Sequence, residues 1–374
     1  MSQPEETLAA VLYEARTPLR VETVQVLPPG PGEILVQIKA AGVCHSDLHV
    51  MKGDQPLGMP IILGHEGAGV VVAIGAGVAS VEVGDHVIPI WRMSCGSCEY
   101  CLGGRPALCE VGTRMRFTGR MPDGKTRFQT GEGREILHYA GVSTFSKLTT
   151  MPEGAAVKID PGFPLEKAAL IGCGVITGVG AVFASAGVGL GDTVAVFGCG
   201  GIGLNIVQGA AMAGARQIIA VDTVPMKLDV ARVMGATHTL HADGTTDPVA
   251  AVREMTGGLG VDFGFEAVGL VETIEQAYDA TRKGGTTVVV GITPPETKAR
   301  INVNALLYAE KTLKGSLYGS LRPRIDLPRL IAMHEAGRLQ LDALLTHRWP
   351  LEEINEAYAA LERGEVARGL IINE

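Results

Sequence analysis

The chain has 374 residues, of which 46% are hydrophobic and 19% charged, so it is a folded protein of two or three domains and not a disordered one. A net charge of −8 argues against broad electrostatic capture of nucleic acid or of an anionic membrane surface. Residues 1–10 carry Glu5 and Glu6 and lack the basic-then-apolar order of a signal peptide, which sets the expectation of a cytoplasmic protein.

From the start to about residue 150, short apolar strands alternate with Gly/Pro turns. Leu35–Ala40 and Gly69–Ile74 are examples, and together they predict a compact β-rich unit. Within it Cys95, Cys98, Cys101 and Cys109 follow the spacing C-x2-C-x2-C-x7-C. Four thiolates of this kind close a structural zinc site with no open position. An iron–sulfur cluster is the rival, but its ferredoxin run ends x3-C-P, and here the last gap is seven residues with Glu110 following. Between Ala168 and Gly191 no residue is charged, a length that could span a bilayer. Its many glycines and its Ser and Thr interruptions fit a buried helix and loop of an α/β core instead.

From Asp192 the pattern becomes strand and helix in alternation. Strands are predicted at Thr193–Phe197, Gln217–Val221, Asp262–Glu266 and Thr286–Val290, and helices at Ile202–Ala213, Met226–Met234, Pro248–Met255 and Glu272–Thr281. This implies a doubly wound parallel sheet of Rossmann type. Val194–Phe197 runs directly into Gly198-Cys199-Gly200-Gly201-Ile202-Gly203, a G-x-G-x-x-G in its required context. Gly198 permits the tight turn, Gly200 lets backbone N–H groups reach a pyrophosphate, and Gly203 lets helix and strand pack closely. The helix N-terminus adds positive dipole for the diphosphate. Asp222 closes the next strand, where a carboxylate accepts from the adenosine ribose hydroxyls and repels a 2′-phosphate, so NAD is expected over NADP. After about Leu317 the chain is helical with Pro interruptions and ends in the strand-like Gly369–Ile372.

Cys44, His65 with Glu66, and Cys173 are each unremarkable alone, since a lone buried Cys or His is most often structural. Their order is not. Cys44, His65-Glu66, the four-Cys cluster, Cys173 and the glycine motif, in that sequence, resemble the zinc-containing medium-chain alcohol dehydrogenases over essentially the whole chain. Met121–Gly124, Ser143–Ser146 and Leu170–Gly174 extend the match, and the nearest likeness is to the class I and class III branch and its bacterial relatives.

The resemblance implies a β-rich GroES-like catalytic domain from residues 1–174 and 317–374, and an NAD-binding Rossmann domain at 175–316, with the active site in the cleft between them. It implies two Zn2+ per chain, NAD, a small alcohol or aldehyde substrate and a homo-oligomer, either dimer or tetramer. Cys44, His65 and Cys173 match the catalytic zinc ligands, two thiolates and a neutral imidazole that leave a fourth position open. Asp47 matches the carboxylate that orients the ligand His, and Glu66 the Glu behind the metal that ligates transiently. Ser46 matches the hydroxyl that bonds the substrate oxygen, and His49 the far end of a proton relay through the nicotinamide ribose. Lys227 and Arg368 match contacts to the adenosine side and the pyrophosphate. Leu57, Trp91, Tyr139, Ala140 and Ile292 match an apolar substrate pocket. Cys199 matches no ligand.

Two departures stand out. His45 occupies a position where many relatives place an Arg on the pyrophosphate, which implies a weaker hold on NAD. Thr113 stands four residues after Cys109, where glutathione-dependent class III relatives place an Arg, and residues 51–60 lack their acidic run. A thiol-adduct formaldehyde dehydrogenase is thereby the second expectation. A non-enzymatic zinc- and dinucleotide-binding protein is the third.

Overall fold

A computed structural model describes residues 3–374. The chain divides into two compact units, one running to Cys173 and resuming at Arg322–Ala332 and Leu345–Glu374, the other made of Gly174–Leu321 and Met333–Leu344.

The first unit is β-rich. Strands Glu5–Leu12, Arg20–Val26, Phe128–Gln129, Glu135–His138 and Ile61–Ile62 close a small barrel. A second sheet runs in the order Ala156–Ile159, His86–Pro89, Gly67–Ile74, Glu33–Val43, Arg368–Ile372, Leu345–Pro350, with Leu148–Pro152 also paired to Glu33–Val43. Glu33–Val43 is the organising strand. Nine of its eleven residues are buried, the near-continuous apolar pattern of a strand covered on both faces. Its start is fixed by a bidentate ion pair. Arg127 donates from Nε and Nη2 to the two Glu33 oxygens at 2.7 Å each, and Glu33 Oε2 also accepts from the Gly30 N–H at 2.8 Å.

The second unit holds six parallel strands in the order His238–His241, Gln217–Asp222, Thr193–Phe197, Val261–Glu266, Thr281–Val289, Thr312–Gly315. In the unit's own chain order this is 3-2-1-4-5-6, the doubly wound arrangement, with the order reversing at Thr193–Phe197. The helices between them are Gly201–Ala213, Pro225–Val233, Pro248–Met255 and Val271–Ala280. Each predicted strand and helix of this region is present within one residue at its ends, except that the strand expected at Thr286 begins at Thr281. The short strands His238–His241 and Thr312–Gly315 were not foreseen; they are edge strands and carry no apolar alternation.

The uncharged stretch near residue 170 forms a helical run, Leu165–Ala186, and 89% of its most apolar window is buried inside the fold. It is a core helix. Ile171–Val175 and Ala181–Ala186 widen into π-type turns, a geometry that recurs at functional sites.

Replacing Arg127 by Met leaves Glu33 buried and uncompensated, which should destabilise the first unit by about 3–5 kcal/mol. The Arg127→Met/Glu33→Leu pair should regain most of that loss. Denaturant midpoints of the two variants and the parent check both statements.

Candidate metal centre and dinucleotide site

Strand pairing brings the ligand candidates together. Cys44 follows the end of Glu33–Val43 and caps the helix His45–Met51. Gly67 lies opposite Ala41, which carries His65 and Glu66 up to that same strand end. On the other side Gly369 lies opposite Val43, which delivers Arg368. Cys173 arrives on the π-widened segment Ile171–Val175.

One donor atom from each of Cys44, His65, Glu66 and Cys173 lies within 4.8 Å of all the others, and all four residues are buried. Cys173 Sγ is 3.3 Å from His65 Nε2. The far ring nitrogen, His65 Nδ1, is 3.0 Å from Asp47 Oδ2, while Asp47 Oδ1 accepts the Gly64 N–H at 2.8 Å. Asp47 therefore fixes the ring so that Nε2 faces the sulfurs. Its place in the first turn of His45–Met51 suits a negative charge.

Glu66 needs space that only glycine leaves, because a Cβ on Gly42 would stand 2.1 Å from Glu66 Oε2. Glu66 Oε1 accepts from Arg368 Nη2 at 2.8 Å, whereas Oε2 is buried with no hydrogen-bond partner. Burial pushes the Glu66 carboxyl up to about 7, against the opposing pull of Arg368. Arg368, expected at a pyrophosphate, is thus seated in the ligand cluster and is only 6% exposed.

The ligands differ in how readily they give up a proton. A hydrogen bond from Cys173 holds the Cys44 thiol well below its ordinary range, and His65 and Arg368 add to it despite burial. That same bond, with burial, pushes Cys173 up. Burial opposes charge on His65, but Asp47 and Cys44 outweigh it. A divalent ion must displace the remaining protons, so its binding is coupled to pH. Two sulfurs and an imidazole nitrogen at this spacing fit zinc, and Glu66 is the group in reach of a further position.

The second cluster is Cys95, Cys98, Cys101 and Cys109, whose sulfurs also lie within 4.8 Å of one another. Tetrahedral sulfurs on zinc, each about 2.3 Å from the ion, stand close to 4 Å apart. Cys95 and Cys101 sulfurs are 4.0 Å apart. Burial opposes ionisation of Cys95, yet the backbone of Ser97 and Cys98 brings it down to about 6. Burial instead pushes Cys109 up to about 12. Among the described residues no carboxylate or imidazole joins the four sulfurs.

Ser46 Oγ is 3.6 Å from Cys44 Sγ, one side chain from the donors. His49 Nδ1 is 3.1 Å from Asp54 Oδ2, a partner that the sequence did not signal. Trp91 and Tyr139 stand edge-on to His65, with ring centroids 6.0 and 5.6 Å from it. Leu57 packs on the same core, as does Ala140. Ile292 belongs to the other unit. Arg92 and Arg116, both buried, back the two rings, and no sequence pattern assigned either of them a role.

In the second unit the glycine motif turns sharply from strand to helix. A Cβ on Gly203 would lie 1.7 Å from the Gly198 carbonyl oxygen, so helix and turn can pack this closely only without one. Gly200 faces open space and caps Gly201–Ala213 with no side-chain bond, leaving the first helical N–H groups for an anion. Asp222 Oδ2 accepts the Cys199 N–H at 2.7 Å and Oδ1 the Val224 N–H at 2.8 Å, which pins the carboxylate beside the turn. Lys227 is half-buried on the following helix, and Cys199 is buried, its thiol raised above its usual range. His45 is exposed at the start of its helix.

Comparison with known proteins agrees with this geometry. The family described as alcohol dehydrogenase GroES-like domain matches residues 30–161, and the zinc-binding dehydrogenase family matches 201–335. The NDMA-dependent alcohol dehydrogenase of Amycolatopsis methanolica is 42% identical, covering 98% of this chain and 99% of its own. The S-(hydroxymethyl)glutathione dehydrogenase of a Synechocystis strain is 41% identical over 97% of this chain and 98% of its own. Among solved structures, the benzyl alcohol dehydrogenase from Acinetobacter calcoaceticus superposes with a TM-score of 0.93 at 32% identity, covering 99% of this chain and 100% of that one. With both family models matched and such identity along nearly its full length, the chain belongs to the zinc-binding alcohol dehydrogenase family.

Proposed function

We propose that the protein interconverts alcohols and aldehydes or ketones by hydride transfer to NAD, with Cys44, His65 and Cys173 holding a catalytic zinc and Cys95, Cys98, Cys101 and Cys109 a structural one. The observation that carries this reading is the convergence of Cys44, His65 and Cys173, from three separated segments, with donor atoms within 4.8 Å. When bound, zinc supplies Lewis acidity that eases loss of the alcohol proton, and the nicotinamide supplies the hydride acceptor.

The chain's own residues do the rest. Ser46, next to Cys44, would take the alcohol proton as it hands on its own, and His49, at the far end of the relay, would release a proton to solvent. Asp54 orients His49 for that step. Asp47 faces His65 Nδ1 and so aims Nε2 at the sulfurs. Arg368 holds Glu66 back by its Oε1, while the unbonded Oε2 is free to serve during ligand exchange. Leu57, Trp91, Tyr139 and Ala140 form the apolar wall around the alcohol. Gly198, Gly200, Gly201 and Gly203 would hold the pyrophosphate, Asp222 the adenosine ribose and Lys227 the adenosine side. A reducing cytoplasmic compartment is the setting that keeps the seven cysteines as free thiols.

The second reading, oxidation of a formaldehyde–thiol adduct, is favoured by the Synechocystis relative's name but not by Thr113, which stands where a class III Arg would be. Formaldehyde oxidation that requires added glutathione would select it.

The chain also has the means to self-associate. Thr312–Gly315 ends the parallel sheet with its outer edge unpaired, and Val303, Leu307 and Tyr308 beside it in sequence are 72, 69 and 78% exposed. Edge-to-edge pairing with a second copy would cover them.

Three measurements test these statements. Metal analysis should give two zincs per chain; Cys173→Ala should keep one and lose NADH formation across a panel of primary, secondary and aromatic alcohols. Asp222→Gly should lower kcat/KM for NAD by about 10–100-fold, the loss of charged hydrogen bonds to the ribose, and raise use of NADP. Light scattering should give a multiple of 39.1 kDa for the parent chain, and Leu307→Asp with Leu313→Asp should reduce it to the monomer mass.

A further inference from the structure

Tyr318, Gly319 and Ser320 follow the last strand of the nucleotide unit's sheet, and all three have left-handed backbone, with φ of 54, 65 and 55°. No other three neighbours among the described residues do so. For glycine this is ordinary, but a tyrosine and a serine are strained there, and such strain gathers at ligand clamps. Tyr318 and Gly319 are buried, and the turn is seated on the backbone of Ile176–Gly180. A Cβ on Gly319 would stand 2.4 Å from the Ile176 carbonyl oxygen, and one on Gly180 would stand 2.6 Å from the Gly319 oxygen.

A cluster of hydroxyls holds the turn in this form. Ser185, 3% exposed on the π-widened segment Ala181–Ala186, has its Oγ 2.7 Å from Ser316 Oγ and 3.0 Å from Ser320 Oγ. One proton and two lone pairs let a single hydroxyl bond both. Ser316 precedes the turn and Ser320 closes it, so Ser185 staples the two ends together. Lys314 fastens the staple in turn, donating from Nζ to the Ser185 carbonyl. The Ser316 N–H donates to the Val289 carbonyl at 3.0 Å, which ties the entry to the neighbouring strand.

The turn's place in the sheet says what it serves. The strand order reverses at Thr193–Phe197, so a dinucleotide lies across the carboxyl ends with one half on either side of that strand. Asp222 ends the strand on one side and marks the adenosine half. Tyr318–Ser320 follows the outermost strand on the other side, Thr312–Gly315, and so belongs to the nicotinamide half. A second observation points to a ligand there. Thr177, whose carbonyl oxygen would be 3.0 Å from a Cβ on Gly319, is only 5% exposed, and its hydroxyl is buried with no hydrogen-bond partner.

We infer that Ser185, with Ser316 and Ser320, is a positioning device for the nicotinamide half of NAD, holding the Tyr318–Ser320 turn in its strained form before the cofactor arrives. Ser185 acts through the turn and is not a catalytic residue. This rests on the NAD-dependent reading above and adds to it the groups that set how firmly the reacting end of the cofactor is seated. Without the staple the turn relaxes toward ordinary backbone, and binding must restore it at a cost in affinity. The adenosine half, held by the glycine turn and Asp222, does not feel that loss.

Calorimetric titration of the zinc-loaded protein with NADH and with ADP-ribose, which lacks the nicotinamide, separates the two halves. The parent should bind NADH more tightly than ADP-ribose. Ser185→Ala should weaken NADH binding by about tenfold, the scale of one or two lost buried hydrogen bonds, and leave ADP-ribose within about twofold of the parent. Ser320→Ala, at an exposed position where folding is not at stake, removes one arm of the staple and should weaken NADH alone. In the double variant the loss should fall short of the sum of the two, because both act through one contact. Equal losses for NADH and ADP-ribose, or no loss of NADH affinity in either variant, overturn the proposal. A parent that binds neither ligand removes the cofactor reading together with it.

Discussion

The structure hangs on where one strand ends. Glu33–Val43 is paired on both sides, and the pairing sets opposite its last residues the turn that carries His65 and Glu66 and the strand that carries Arg368. Because strand side chains alternate, a slip of one residue in either pairing would point these groups to the wrong face. Burial of nearly every residue of the strand makes that slip costly, so the register is strongly specified. The donor geometry is therefore inherited from apolar packing. Metal binding then has only to remove protons from sulfurs and an imidazole that are already gathered.

Much of this was legible in the residues. The glycine motif could be read because each glycine has a separate steric reason and the strand before it is purely apolar. The four-cysteine cluster could be read because its ligands are close in sequence. Cys44, His65 and Cys173 are different: over a hundred residues separate the second from the third, and no local pattern joins them. Only the resemblance to a known family connected them, and the sheet supplied the physical reason afterwards.

What stayed hidden was mostly polar partnership. Asp54 beside His49 lies five residues on, in a loop with no periodicity to exploit. Arginine is usually a surface residue, and nothing in the sequence marks Arg92, in a loop, or Arg116, on a modestly amphipathic helix, as turned inward. Arg368 could be placed near the cofactor by likeness, yet its bond to Glu66 depends on a pairing between residues 302 positions apart. The division of the tail was equally hard to see, since Met333–Leu344 packs with the nucleotide unit while the segments on both sides of it belong to the first.

That 302-residue separation has a consequence for how the protein is made. At ordinary ribosomal speeds of about 5–20 residues per second, Arg368 emerges on the order of tens of seconds after Glu66. Until then the strand that pairs with the end of Glu33–Val43 is missing, and the Glu66 carboxylate lacks the guanidinium that bonds its Oε1. The sheet that frames the ligand cluster can therefore be completed only after translation has passed residue 368.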